Sequence, residues 1–356
     1  MDIATAANGQ NEQHAPLVFT AKGGEYFGIW IVNLLLTVLT LGIYSAWAKV
    51  RRLQYFYRNT SLAGSGFDYH GAPKAILKGR LIAFAMLVIY NLAGRFNPLL
   101  GLAVGGVLAC ALPWLLLRSL QFKLHNSSHR GLRFRFAGTL GESYVVFLLL
   151  PLASFFTLYL LAPVWHQQLK RYQHNNSWYG QTSFSFDAPI RAFYKIYFAA
   201  GAMFLAGVAL LGVLAALTFP NGAHMAQTVE ERKALFALIP LAILVAMLVL
   251  ILLIRPYIDS RLQNLVWNNT RLGPHRFASK VTARRLFFIM IGNLVGIVLT
   301  LGLYRPFAVV RMLKYRLESV SLLASGDLDN FAASQEQPVG AVGEEAAEMF
   351  DIDIAL

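Results

Sequence analysis

Charge is scarce in this sequence: Asp, Glu, Lys and Arg make up 14% of 356 residues, while 56% are apolar. Ordinary soluble domains run at about 25% charged and 45–50% apolar. That imbalance excludes a conventional water-soluble fold, and the mean hydropathy of +0.51 agrees with it. There is a single cysteine, Cys110, set in an apolar run, which excludes an intrachain disulfide and argues against a thiolate metal site. No secretory leader is read at the amino terminus, because residues 1–16 are polar, carry Asp2 and Glu12, and lack a basic-then-apolar pattern. Carboxylates are missing from the centre of every apolar segment, which removes the usual pointer to a proton or cation path. Nucleotide-loop, zinc-hydrolase, nucleophile-elbow and paired-cysteine motifs are all absent. The expectation is a protein that is not an enzyme, with no catalytic, cofactor-binding or metal-binding residue to name.

What the sequence does have is long apolar runs. A helix needs about 20 apolar residues to cross about 30 Å of hydrocarbon. Seven segments approach this, at roughly 27–48, 76–94, 99–117, 144–165, 193–219, 235–254 and 286–307. They make one membrane domain over residues 17–321, between an N-terminal tail (1–16) and an acidic C-terminal tail (322–356), both expected to be disordered. The net charge is +13. Its basic residues cluster beside the apolar segments, where the positive-inside rule accounts for them. The expected partner is therefore a bilayer with anionic phospholipid headgroups and not nucleic acid. Any protein partner or homo-oligomer is left open.

The strongest signal is internal repetition. Asn33 to Tyr44 returns as Asn293 to Tyr304 at one constant offset, and the match continues through Ala48, Val50, Arg51, Leu53 and Tyr55 against Ala308, Val310, Arg311, Leu313 and Tyr315. A second layer pairs Asn with a Gly five residues on: Asn59 with Gly64, Asn126 with Gly131, Asn175 with Gly180, and Asn268 with Gly273. Each is closed by a Phe, namely Phe67, Phe134, Phe184 and Phe277. Asn bonds nearby backbone and Gly supplies positive φ, so these eight positions read as structural turns. All four Asn also fit a glycosylation acceptor pattern, but the turn explains the linked Gly and Phe as well. Alternating runs such as Leu132 to Phe136 and Thr182 to Phe186 read as short strands. After Arg316 the pattern degenerates. The fold class expected is an all-α polytopic membrane protein with internal repeats, carrying short β-hairpins at the membrane surface between helices.

Topology poses a conflict. If every segment crosses, the hairpins after Asn175 and Asn268 lie outside, although Arg255, Arg261, Arg271, Arg276, Lys280, Arg284 and Arg285 surround the second of them. The charge rule favours the alternative, in which segments 27–48, 144–165 and 286–307 dip in and return, with interruptions at Asn33, Pro151 and Gly292 to Gly296. Either way the C-terminal tail is expected in the cytoplasm.

The run from Gly24 to Arg51, with its Thr40 to Tyr44 core, followed by Asn59-Thr60 and Phe67 to Tyr69, resembles the bacterial YjgN-like family of inner-membrane proteins of unknown function. The likeness extends from about Leu17 to Ser321. It implies the bacterial inner membrane and supplies no activity or site residue.

Two functions remain in contention. A small-solute or ion transporter or channel would use a polar path of Asn33, Thr37, Thr40, Pro151, Asn293 and Thr300. A non-catalytic surface module would bind anionic lipid or a partner protein through Arg51, Arg52, Arg118, Lys170, Arg171, Arg261 and Arg271. Glu25 and Glu142 sit before segments 27–48 and 144–165, where a helix N-terminus favours an anion. The histidines near the hairpins show no repeated ligand spacing.

Overall fold

A hairpin with strands of three and five residues leaves both outer edges unpaired and is not stable alone. In the computed structural model, which describes residues 13–218, 229–326 and 331, each hairpin solves this by pairing with its neighbours. Four hairpins are local: β2 and β3 (Thr60–Leu62, Ser65–Tyr69), β4 and β5 (Ser127–His129, Leu132–Phe136), β6 and β7 (Ser177–Tyr179, Thr182–Phe186), β8 and β9 (Thr270–Leu272, His275–Ser279). A fifth pair is assembled from β10 (Val320–Ala324) and β1 (Gln13–Phe19), matching Gln13 with Ala324 and Pro16 with Ser321. The far half of β1 pairs with β2, Leu17 opposite Leu62, and the ring closes.

The expected all-α class is therefore corrected. The chain is largely helical, but it carries a closed, antiparallel, ten-stranded barrel. Closure removes every edge, which is the physical reason the hairpins join instead of lying separately on a membrane. β1 includes Gln13 to Pro16 and β10 includes Leu322 to Ala324, positions that the sequence reading left in the tails. Residues 1–12 and most of the acidic tail lie outside the described residues.

Between consecutive strand pairs the chain runs out along one helix and back along another, making five helical arms. The first arm is α1 (Gly23–Leu39) and α2 (Ser45–Arg58), and the second is α3 (Pro73–Phe96) and α4 (Pro98–His125). In the third, α5 (Leu140–Tyr144) passes through a π-helical turn (Val145–Leu149) into α6 (Leu150–Phe156) and returns as α7 (Ala162–Asn175). The fourth is α8 (Ile190–Thr218) and α9 (Val229–Asn268), and the fifth is α10 (Ala283–Leu299) and α11 (Arg305–Glu318). Each arm packs on the next (α2 on α3, α4 on α5, α7 on α8, α9 on α10), and α11 returns to α1.

Four helical stretches are long and apolar enough to cross a membrane: Pro73–Phe96, Pro98–His125, Ile190–Leu214 and Pro240–Asn268. The other three apolar segments are broken by tight turns. Leu41 and Gly42, Leu158 and Tyr159, and Leu301 and Gly302 all have positive φ. Each turn is held by a threonine hydroxyl that donates to the carbonyl four residues back and accepts the amide four residues on: Thr40 (2.7 and 2.9 Å), Thr157 (2.8 and 3.4 Å) and Thr300 (2.7 and 2.8 Å). The breaks thus fall beyond Asn33, Pro151 and Gly292 to Gly296, all of which lie within helices.

The hairpin code is also shifted in two copies. Helix ends are capped by Asn59, Asn126, Asn176 and Asn269, whose amides donate to the carbonyl four residues back at 2.8, 2.8, 3.1 and 2.8 Å. The hydroxyl residue that follows repeats this one carbonyl later, from Thr60, Ser127, Ser177 and Thr270. Counted from these caps, the closing Phe is always eight residues on. Asn175 and Asn268 are not the caps; their side chains accept the amides of Phe186 and Ser279 at 2.7 and 2.6 Å. The offset arises from the turn. Positive φ at both Ala63-Gly64 and Arg130-Gly131 fits a type I′ pair with Gly second, whereas Gly180 and Gly273 are each the first turn residue, the type II′ position.

Candidate functional site

Antiparallel pairing sends alternate side chains to one face, and in this barrel each strand places one residue inward at the same level. They are Leu17 opposite Leu62, Phe67 opposite His129, Phe134 opposite Tyr179, Phe184 opposite Leu272, and Phe277 opposite Leu322. The four hairpin Phe residues form an arc, with ring centroids 6.5, 6.4 and 6.2 Å apart. Leu17 of β1 takes the fifth place. These ten side chains wall a small apolar void of about 200 Å³, which His275 and Phe331 also line. Phe331 meets His275 edge-on, centroids 4.5 Å apart.

Beside this ring lies a much larger cavity of about 1880 Å³, walled by the barrel and by helices of several arms. Leu17, Phe67, Phe134, Phe184 and Trp267 line both spaces, so the apolar ring is the partition between them. Leu34, Leu53, Leu120, Leu252 and Ile297 provide apolar wall. Lys49, Arg52, Arg80, Lys123, Arg255 and Arg305 also line the cavity, and among the described residues no Asp or Glu does. Arg255 alone of these has a carboxylate partner among the described residues, Asp259 at 3.7 Å. Burial pushes the Lys49 ammonium below the usual lysine range, and Arg80, Arg52 and Lys123 push it the same way. Lys170, on α7, is lowered by burial and then by Arg316 and Lys123.

The expected polar path divides. Asn33, Thr37 and Asn293 line the cavity. Both asparagines are buried and keep an unpaired side-chain oxygen, while the Asn293 amide donates to the Ala308 carbonyl at 3.1 Å. Thr40 and Thr300 are occupied in the arm turns, and Pro151 opens α6 after the π-helical turn. The expected lipid-binding set divides too. Arg52 lines the cavity, and Lys170 donates to Gln173 at 3.3 Å. Arg118 is held by Gln121 at 3.1 Å and lies over Trp114. Arg51, Arg52, Arg171, Arg261 and Arg271 are exposed.

Glu142 forms a capping box with Thr139, and Glu25 accepts from the Tyr55 hydroxyl at 3.1 Å, so both serve helix starts. His166 and His174 are pulled down to about 4, first by burial and then by Lys170, which keeps both imidazoles neutral near pH 7. Among the described residues no three His, Cys, Asp or Glu side chains gather as a metal site. Sequence reading missed Lys49, Arg80, Lys123 and Arg305. They come from four different helices, and nothing in a linear pattern marks them as lining one cavity.

A barrel closed by an apolar ring, borne on arms of which two are long enough to cross a bilayer, defines a helical membrane protein with a cavity at its centre. Over residues 14–349 the chain matches the family described as bacterial protein of unknown function (DUF898), and it belongs to that family. It is 34% identical over 152 residues to the inner membrane protein YjgN of Salmonella typhimurium, a match covering 42% of this chain and 38% of the relative. With the protein of the same name from Escherichia coli K12 the identity is 30% over 146 residues, covering 40% and 37%. The chain thus aligns with less than two fifths of the length of either relative. No solved structure matches it.

Proposed function

We propose that the protein is a multi-pass inner-membrane conduit for small solutes, with its path running from the central cavity through the barrel lumen. One observation carries this reading: the same five side chains, Leu17, Phe67, Phe134, Phe184 and Trp267, wall both spaces. Apolar constrictions of this kind gate aqueous paths by excluding water. In this reading the module has been duplicated into five arms. The second and fourth cross the bilayer, the three short ones enter and return, and all five strand pairs gather on one face. The exposed leucines at the short-arm tips, Leu41 and Leu301, are each 96% accessible, which suits contact with hydrocarbon. The basic residues around the barrel then lie together on the cytoplasmic side, as the charge rule requires.

Reconstitution tests it. Proteoliposomes loaded with potassium sulfate or glycerol should leak at least one of these solutes. The double substitution Phe134→Ala and Phe184→Ala should raise that rate about tenfold or more by opening the ring. If wild type and variant, both monodisperse and helical, hold all these gradients equally well, the conduit reading fails.

A further inference from the structure

Four cations line the central cavity with no countercharge among the described residues. Lys49 and Arg52 are three residues apart on α2 and so share a helix face. Arg80 reaches in from α3, its guanidinium donating to the Ser45 hydroxyl. Lys123 comes from the last turn of α4. All four line one volume and stay open to solvent, and among the described residues no carboxylate lines it with them or lies within ion-pairing reach of any of the four. Of the other basic groups nearby, Arg316 donates to the Gln263 side chain at 2.7 Å and Lys170 to that of Gln173, while Arg255 has its own carboxylate, Asp259. Like charges held together in this way destabilise a fold unless something of opposite sign joins them.

We infer that Lys49, Arg52, Arg80 and Lys123 form a binding site for a phosphate-ester anion inside the cavity. Two guanidinium forks and two ammonium groups arriving from three helices suit a group with several acceptor oxygens and more than one negative charge. A single carboxylate or halide would leave most of these donors unused. The apolar wall formed by Leu34, Leu53, Leu120 and Ile297 leaves room for an attached hydrocarbon chain. A lipid headgroup and a free phosphate ester therefore present the same chemistry to the cluster. The inference rests on the cavity walls and does not require that anything passes the barrel, so binding and flux are scored separately.

The test uses the full chain purified in a nonionic detergent and delipidated. Retention of phosphatidylglycerol over phosphatidylethanolamine is read by native mass spectrometry, and binding of glycerol 3-phosphate by calorimetry. Lys49→Gln combined with Arg80→Gln should weaken whichever probe binds by tenfold or more, while the pair Arg276→Gln and Arg284→Gln, exposed and lining neither space, should leave it unchanged. Retention of lipid without glycerol 3-phosphate binding assigns the site to a headgroup. Binding of glycerol 3-phosphate alone assigns it to a soluble ester. A second readout separates ligand binding from a structural role. Lys123→Gln should raise the melting temperature in ligand-free buffer, by relieving repulsion at Lys49 and Lys170, and should abolish most of the rise that the probe gives wild type. If folded wild type binds neither probe, or if both charge-neutral pairs behave alike, the inference is overturned, even where flux is seen.

Discussion

The three short arms and the two long ones grow from the same barrel but are built differently. Each short arm is bent by a threonine-held turn with positive φ, at Thr40, Thr157 or Thr300. Each is also tied at its base by a tyrosine four residues before the helix cap. The Tyr55 hydroxyl meets the Lys22 backbone at 3.0 and 3.1 Å, that of Tyr172 meets the Thr139 carbonyl at 3.3 Å, and that of Tyr315 meets the Thr282 amide at 2.8 Å. In the long arms the matching positions are Phe122 and Leu265, which have no hydroxyl to offer. The second arm instead brings its helices together through small residues: a Cβ on Gly101 would lie 2.6 Å from the Gly94 Cα. Arm length is therefore free to vary while the strand pair at the base stays fixed. A short arm holds itself shut by hydrogen bonds, and a long one relies on close packing along its length.

The sharpest way to break this comparison is to fill the close contact in a long arm. Gly101→Val has backbone and not a flexible side chain in its way, so α3 and α4 must separate. The loss should reach the top of the ~1–3 kcal/mol range for overpacking, or exceed it. It should show as a markedly lower melting temperature in detergent, and an unchanged midpoint would mean that the two helices are not so closely apposed. An intermediate effect is expected at the short-arm tips. Gly42→Val and Gly302→Val meet nothing within 4 Å, but the backbone there sits at φ +94° and +95°. The cost is conformational strain alone, about 1–2 kcal/mol, and the same change at Gly106, in the second arm and equally uncrowded, should be milder. The smallest effect belongs to the tyrosine ties. Tyr315→Phe should cost about 1 kcal/mol and speed amide exchange at Thr282, whereas Phe122→Tyr should give no stabilisation. Equal and opposite effects of these two changes would erase the distinction between arm types.

Much of this was legible in the residues, though in a displaced register. The repeat between Asn33 to Tyr44 and Asn293 to Tyr304 led to the short arms, yet the interruption was assigned to Asn33 and Asn293 when the turn is made by Thr40 to Tyr44 and its partner. Asparagine is the more conspicuous break in an apolar run, whereas threonine bonded to its own helix carries no special linear signal. The third such turn, at Thr157, has Tyr159 at positive φ in place of a glycine and could not be found by its sequence. In sequence Asn175 and Asn268 read as the turn residues, and only the hairpin geometry shows that the asparagine after each, Asn176 and Asn269, caps the helix.

By itself the sequence determined that lipid is the solvent for much of this chain, because its apolar runs leave too little charge to face water, and it marked short hairpins following helices. Tertiary structure alone decided that the hairpins close into a ring, since an edge strand is satisfied only by a partner far away in the chain, as β1 is by β10. It also decided that Lys49, Arg52, Arg80 and Lys123 line one cavity. Charges on different helices acquire a common field only when packing brings them to the same cavity.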